Sequence, residues 1–328
     1  MSLRARERMA PSLEFGLLLL LGLLWGSPYA LTKISLETIP PITLVAARVA
    51  LAAAVLWLIA MSRGYEVPKE RRWIGLLFIQ GIITCVVPYT LIAFGQQTVE
   101  SGLAAILNST TPIFVCVIGV LWTHHEPVTS RRIVGAAIGL GGVIVVAGAN
   151  TLLGLGQHTI GQAAIILATV SSAFSVIHGR RFDSVAPEVV AAGMLTSAAI
   201  VLVPLSFIFE APWHISPSAP SIVALLINAV IATALGFAIY FRLIRTVGSM
   251  ATASVGYLKP AVGVLIGCLI FGEAFTIAMA LGLLAILLGV AIINGSIRPP
   301  RLPLDKSKAE YEEAPLATSV LRVSSPIA

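Results

Sequence analysis

The sequence predicts an all-α polytopic membrane protein, with ten transmembrane helices arranged as two inverted five-helix repeats. Three observations carry that expectation: an apolar composition, ten runs long enough to cross a bilayer, and an internal duplication. Hydrophobic residues make up 57% of the 328 and charged residues only 11%, with a mean hydropathy of +0.96. A soluble domain is about a quarter charged. This chain lacks the side chains to cover a water-facing surface, so lipid is its solvent. Hydrocarbon offers nothing to an unpaired backbone group, and apolar runs of this length therefore cross as helices.

A crossing takes ~20 mostly apolar residues. The first run, 14–32, follows Arg4, Arg6 and Arg8 as a signal peptide would. It is longer than a signal's apolar core and a similar segment recurs later, so it is a retained helix. Trp25, Tyr29 and Thr32 lie on one stripe of it. The second run, 40–61, opens on two prolines and carries Arg48; the third, 73–95, contains Pro88 and Tyr89. The fourth, 102–122, holds Asn108, Thr111 and Pro112, with Asn108 and Thr111 on one face. The fifth, 132–149, has Gly135 and Gly139 as a small-xxx-small packing pair. Ser171, Ser175 and His178 form a stripe on the sixth, 160–178, and the seventh spans 188–209. The eighth, 220–241, ends near the aromatic pair Phe237 and Tyr240. The ninth, 250–271, sets Tyr257, Lys259 and Pro260 in an otherwise apolar stretch, and the tenth covers 276–296. Residues 297–328, rich in proline and charge, suit a disordered tail.

The charge pattern supports an even number of crossings. With ten, all of the 21 lysines and arginines except Lys33, Arg48 and Lys259 fall on one side of the membrane. Positive residues mark the cytoplasmic side, which places both termini in the cytoplasm. The net charge of +6 is thus a topology signal and does not indicate nucleic acid as a partner.

The chain also resembles itself. The stretch "EPVTSRRIVGAAIGLGGVIVVAG" (126–148) aligns with "EAFTIAMALGLLAILLGVAIING" (273–295), pairing Glu126 with Glu273 and Gly142 with Gly289. Upstream, "TVES" (98–101) meets "TVGS" (246–249) and Pro112 meets Pro260. Five helices per repeat is an odd number, so the halves point in opposite directions. Inverted repeats of this kind characterise secondary transporters, whose site lies near the midplane between the halves.

Three motifs then point to a family. "LLWGSPYALTK" in the first helix, "PPITLVAAR" opening the second, and the Pro…Gly…Glu-x-x-Thr pattern closing each half resemble EamA-type members of the drug/metabolite transporter superfamily. The resemblance covers both repeats, 14–149 and 159–296. It implies a ten-helix plasma (inner) membrane transporter that moves small metabolites, often outward.

Lys259 is the first candidate for contact with cargo. A lysine near the bilayer centre costs ~2.5–3.5 kcal/mol on insertion scales, so such residues face a cavity or a partner. Pro260 lacks an N–H, which deprives the Gly256 carbonyl of its helical donor, and Pro112 does the same for Asn108. Both prolines are therefore expected to break their helices beside the site. The alternative for Lys259 is structural, with its amine held by neighbouring carbonyls or kept neutral by desolvation. Thr111 occupies the position equivalent to Lys259. The stripe Trp25, Tyr29, Thr32 maps onto Ser171, Ser175, His178, so both can line a cavity on the pseudo-two-fold axis, or the serines simply let helices pack closely. Tyr89, Phe237, Tyr240 and Tyr257 complete the candidate cargo-binding set.

Arg48 suits a structural strut, its guanidinium held by carbonyls or by Glu273. Glu126 and Glu273 each precede a helix, where a carboxylate caps free N–H groups. Cys85, Cys116 and Cys268 fall within spans and form neither a disulfide framework nor a metal site, and "HHE" at 124–126 lacks the spacing of metal ligands. No cofactor is expected. There is no phosphate-binding loop, which argues against ATP hydrolysis by this chain. No Asp or Glu sits mid-span, so a carboxylate proton relay lacks its part and an organic cation lacks a counter-charge. These features favour a zwitterionic or anionic metabolite with a carboxylate, an amino acid above all. A membrane enzyme acting on lipid would need clustered acid, base or metal-binding groups at one interface; here they are scattered.

Overall fold

The computed structural model describes residues 11–67, 70–119, 130–147, 157–182, 185–246 and 255–294. Among them lie ten apolar helical segments and no strand. We number them α1 (Leu13–Leu36), α2 (Pro41–Ser62), α3 (Arg71–Gly95), α4 (Ser101–Ile118), α5 (Ser130–Ala147), α6 (Thr159–Phe182), α7 (Pro187–Phe209), α8 (Ala219–Leu243), α9 (Val255–Phe271) and α10 (Ile277–Asn294). Seven have membrane-crossing length; α5, α9 and α10 have shorter apolar stretches. Large apolar side chains face outward along the bundle, among them Leu58, Ile208, Leu269 and Ile277. That is the surface expected of a protein solvated by lipid.

Helix pairing follows a two-fold exchange of αn with αn+5. The pairs α2·α7, α4·α9 and α5·α10 lie on the exchange axis, while α1·α8 matches α6·α3 and α1·α9 matches α6·α4. Contacts along the pairs give their directions. Thr43 meets Ser206 and Trp57 meets Thr196, so α2 and α7 are antiparallel. Gly142 abuts Gly282 while Gly289 abuts Gly135 and Gly139, so α5 and α10 are antiparallel too. By contrast Gly22 faces Leu258 and Gly26 faces Val262, which makes α1 and α9 parallel. Only oppositely inserted halves give this set.

The glycines on the axis permit this closeness. A Cβ on Gly142 would stand 2.7 Å from the Gly282 carbonyl, and one on Gly289 2.5 Å from that of Gly135. Such backbone-to-backbone contact is what small residues supply in membranes, where burial of apolar surface does little to drive helices together.

Several helices are irregular inside the bundle. α4 breaks between Asn108 and Thr111. Pro112 removes the donor for the Asn108 carbonyl, and Thr111 Oγ1 takes its place at 2.9 Å. Ser109 and Thr110 hydroxyls donate to the carbonyls of Ile106 and Leu107, so the break is satisfied from within. α9 behaves differently from the expectation for Pro260: it stays helical from Val255 to Phe271. The proline costs only the bond to Gly256, in the first described turn, and Gly256 is exposed there. α3 and α8, equivalent under the exchange, both contain π-helical segments, Ile82–Val86 and Ile227–Leu235. Thr233 Oγ1 bonds the Asn228 carbonyl five residues back within the second.

Polar ties close both ends of the bundle. At the end poor in cations, Glu210 after α7 accepts from the N–H groups of Ile42 and Thr43 at the start of α2. Gly272, at φ +64, ends α9 in a left-handed turn and swings Glu273 toward α4. At the other end Glu188, buried at the start of α7, meets Arg245, Arg63 and Tyr65, and Glu14 meets Arg242 and Thr246.

Candidate functional site

A cavity of about 180 Å³ lies among α1, α2, α3, α4, α6, α8 and α9. The α1–α9 contact shapes one side of it. Gly26 lets the helices touch, since a Cβ there would stand 2.9 Å from the Lys259 carbonyl. This brings the Lys259 side chain beside the middle of α1, with its Nζ 4.4 Å from the centre of the Trp25 ring. No acceptor or carboxylate pairs this ammonium among the described residues; the ring face is its partner. Trp25 is held in turn by Phe237 and Tyr240, at ring-centre distances of 5.7 and 4.9 Å.

Across the cavity, Arg48 projects from α2 and stacks over Tyr89 at 4.3 Å. Its Nε donates to Thr233 Oγ1 at 3.0 Å, so the π-helical segment of α8 fixes the guanidinium. Gln96, 97% buried at the end of α3, donates to the Tyr29 carbonyl at 2.8 Å while its Oε1 finds no partner among the described residues. No Asp or Glu lines the cavity among the described residues.

Of the residues singled out from sequence, Trp25, Tyr29, Asn108, Tyr89, Phe237 and Lys259 come together on this wall, and Thr32 joins them. Tyr240 backs Trp25 from behind the wall. Thr111 is turned to its own helix by its bond to Asn108. Ser171, Ser175 and His178 do not reach the cavity. Ser171 bonds the Ile83 carbonyl, Ser175 accepts from Thr84, and His178 Nδ1 lies 2.7 Å from Gln80 Oε1. Their face seals α6 against α3. The Tyr257 side chain, Glu126, the "HHE" stretch and the tail from 297 lie outside the described residues.

Arg48 stands on the cavity wall, with Thr233 and the Tyr89 ring as its partners; Glu273 is engaged elsewhere. Glu273 binds Lys33 at 2.7 Å and accepts from the N–H groups of Ser101 and Gly102 at 2.8 Å each. It therefore caps α4 of the other repeat, while Thr276 caps α10 at Met279. Burial works to raise the Glu273 carboxyl, but the Lys33, Gly102 and Ser101 bonds outweigh it and hold the group below its ordinary value.

Gln96, Ser172 and Thr233 line the cavity without having stood out in the sequence. Thr233 carried no periodic signal, because a π-helical segment shifts which face a residue presents. A glutamine at the end of a membrane helix was the one available cue to Gln96.

Two inverted five-helix halves around a cavity lined by cations and aromatic rings define a polytopic membrane transporter. The chain belongs to the EamA-like transporter family, whose model matches residues 13–148 and 159–295. It is 28% identical over 283 residues to "Uncharacterized inner membrane transporter YedA" of Escherichia coli, covering 85% of this chain and 90% of that one. It is 25% identical to "Uncharacterized transporter YvbV" of Bacillus subtilis, covering 85% and 90%. "Protein PagO" of Salmonella typhimurium is 26% identical, covering 84% and 90%. A solved structure described as "Crystal structure of protein" matches with a TM-score of 0.62 at 20% identity, over 86% of this chain and 96% of that one, and shares the fold.

Proposed function

We infer that the protein is a secondary transporter, an exporter or facilitator, that moves an amino acid or similar carboxylate by alternating access of its two halves. The observation that carries this reading is the Lys259 ammonium, which faces the cavity without an acceptor and so offers its positive charge to a cargo carboxylate. The inverted repeats supply the machinery, since rocking one half against the other exposes a fixed site to each side in turn. The membrane is the plasma (inner) membrane, in line with the name given to the Escherichia coli relative. Both termini are cytoplasmic, from the clustering of Arg63, Arg71, Arg72, Arg180, Arg181, Arg242 and Arg245 at one end.

Counterflow of labelled amino acids in proteoliposomes tests the cargo. Uptake of at least one supports the reading; none, together with uptake of an organic cation, overturns it. For topology, a fluorescent protein fused to the C-terminus should fluoresce in cells and a secreted phosphatase fused there should stay inactive. The reverse result would invert the orientation.

A further inference from the structure

The cavity holds two cations, Lys259 and Arg48, against no carboxylate among its described lining residues. Each has one aromatic face, Trp25 and Tyr89, and Arg48 has one further bond, to Thr233. No acceptor among the described residues engages the two terminal nitrogens of Arg48. A guanidinium in that state is prepared for a planar, bidentate acid. Two like charges sharing a small, poorly solvated chamber repel each other, and anionic cargo relieves that repulsion.

The same wall disfavours an ordinary zwitterion. A cargo ammonium would enter a chamber already doubly positive, and the two ring faces that would hold it are occupied by Lys259 and Arg48. Gln96 Oε1, buried and unpartnered, leaves a neutral acceptor for one hydroxyl or one ammonium hydrogen. The volume, about 180 Å³, lies below the ~300–1,000 Å³ of drug-sized pockets. That size suits cargo of amino-acid dimensions.

We propose that the cavity is selective for a small dianion, with one acidic group on Lys259, the other on Arg48, and a donor between them for Gln96. The proposal rests on the cavity being the cargo site. A hydroxy dicarboxylate such as malate has this chemistry, and a small phosphate monoester shares it. Purified protein in proteoliposomes is given labelled L-malate, glycerol 3-phosphate, L-alanine and tetraethylammonium separately. Flux of at least one dianion should exceed that of alanine by about tenfold or more, the worth of one additional charge-assisted bond. Malate in front assigns a dicarboxylate; glycerol 3-phosphate in front assigns a phosphate. Alanine flux equal to or above every dianion overturns the selectivity and leaves the amino-acid reading standing. Tetraethylammonium flux with no acid moved overturns both. Lys259→Met and Arg48→Gln should each cut dianion flux about tenfold and bring it toward that of alanine. Lys259→Arg, which keeps the charge, should retain the preference, so loss by the Met variant through misfolding is told apart. Unchanged selectivity in either neutral variant sinks the proposal.

Discussion

An ammonium deep in a membrane protein costs stability unless something answers it, and among the described residues Lys259 is answered only by the Trp25 ring. A cation on a desolvated ring recovers ~2 kcal/mol, short of the insertion cost. A residue kept for packing would lose stability on truncation; this one should not. Lys259→Ala is therefore expected to lower transport about tenfold while the melting temperature in detergent holds or rises. Transport at the original rate would return Lys259 to a structural role. Glu273 should show the opposite profile. Its carboxylate serves Lys33 and two backbone N–H groups, so Glu273→Gln is expected to cost about 1–3 kcal/mol of stability. Because its folded value is depressed, that contribution is present above the ordinary carboxylate value of about 4.3 and fades as pH falls through the depressed one. The gap in melting temperature between the original protein and Glu273→Gln should close on acidification. A gap that persists in acid would show that the charge is not what stabilises.

Among the elements, α3 and α8 share a feature that no helical period announces, a π-helical segment at equivalent depth in each half. Such segments often sit at functional sites. Here one of them carries Thr233 to Arg48. The neighbouring ends of α1, α2, α7 and α8 are joined on the cation-rich side through Glu188 and Glu14. If the two halves alternate access as proposed, those ends must part. Glu188→Gln should loosen them, raising the labelling of a cysteine placed at Ala232 by an impermeant maleimide added from that side, in a protein lacking Cys85, Cys116 and Cys268. Unaltered labelling would make the Glu188 cluster a fixed brace. What sequence could foresee at this scale was the run of ten helices and the break at Pro112. Pro260 misled because the loss of one backbone bond did not open α9, which stays helical from Val255 to Phe271.

At the scale of the whole molecule, the duplication was legible because the glycines of α5 and α10 and the paired glutamates survive in register. The asymmetry of the cavity was not. Trp25 and Tyr29 suggested that their counterparts Ser171 and Ser175 would line the same space, yet the two stripes do opposite things. Bulky rings on α1 hold neighbours apart and leave a chamber. Small hydroxyls on α6 let Gln80 and Thr84 of α3 close in. Symmetry transfers the backbone position of a residue; its side-chain volume decides whether that position is a wall or a seam.

The carboxylates of Glu210 and Glu273, both from the second half, secure the starts of α2 and α4 in the first. The first half therefore receives these two caps only when the second half packs against it. A product truncated before residue 273 would lack the cap of α4 and the carboxylate partner of Lys33. The turn after α9 is thus a clasp between the two halves.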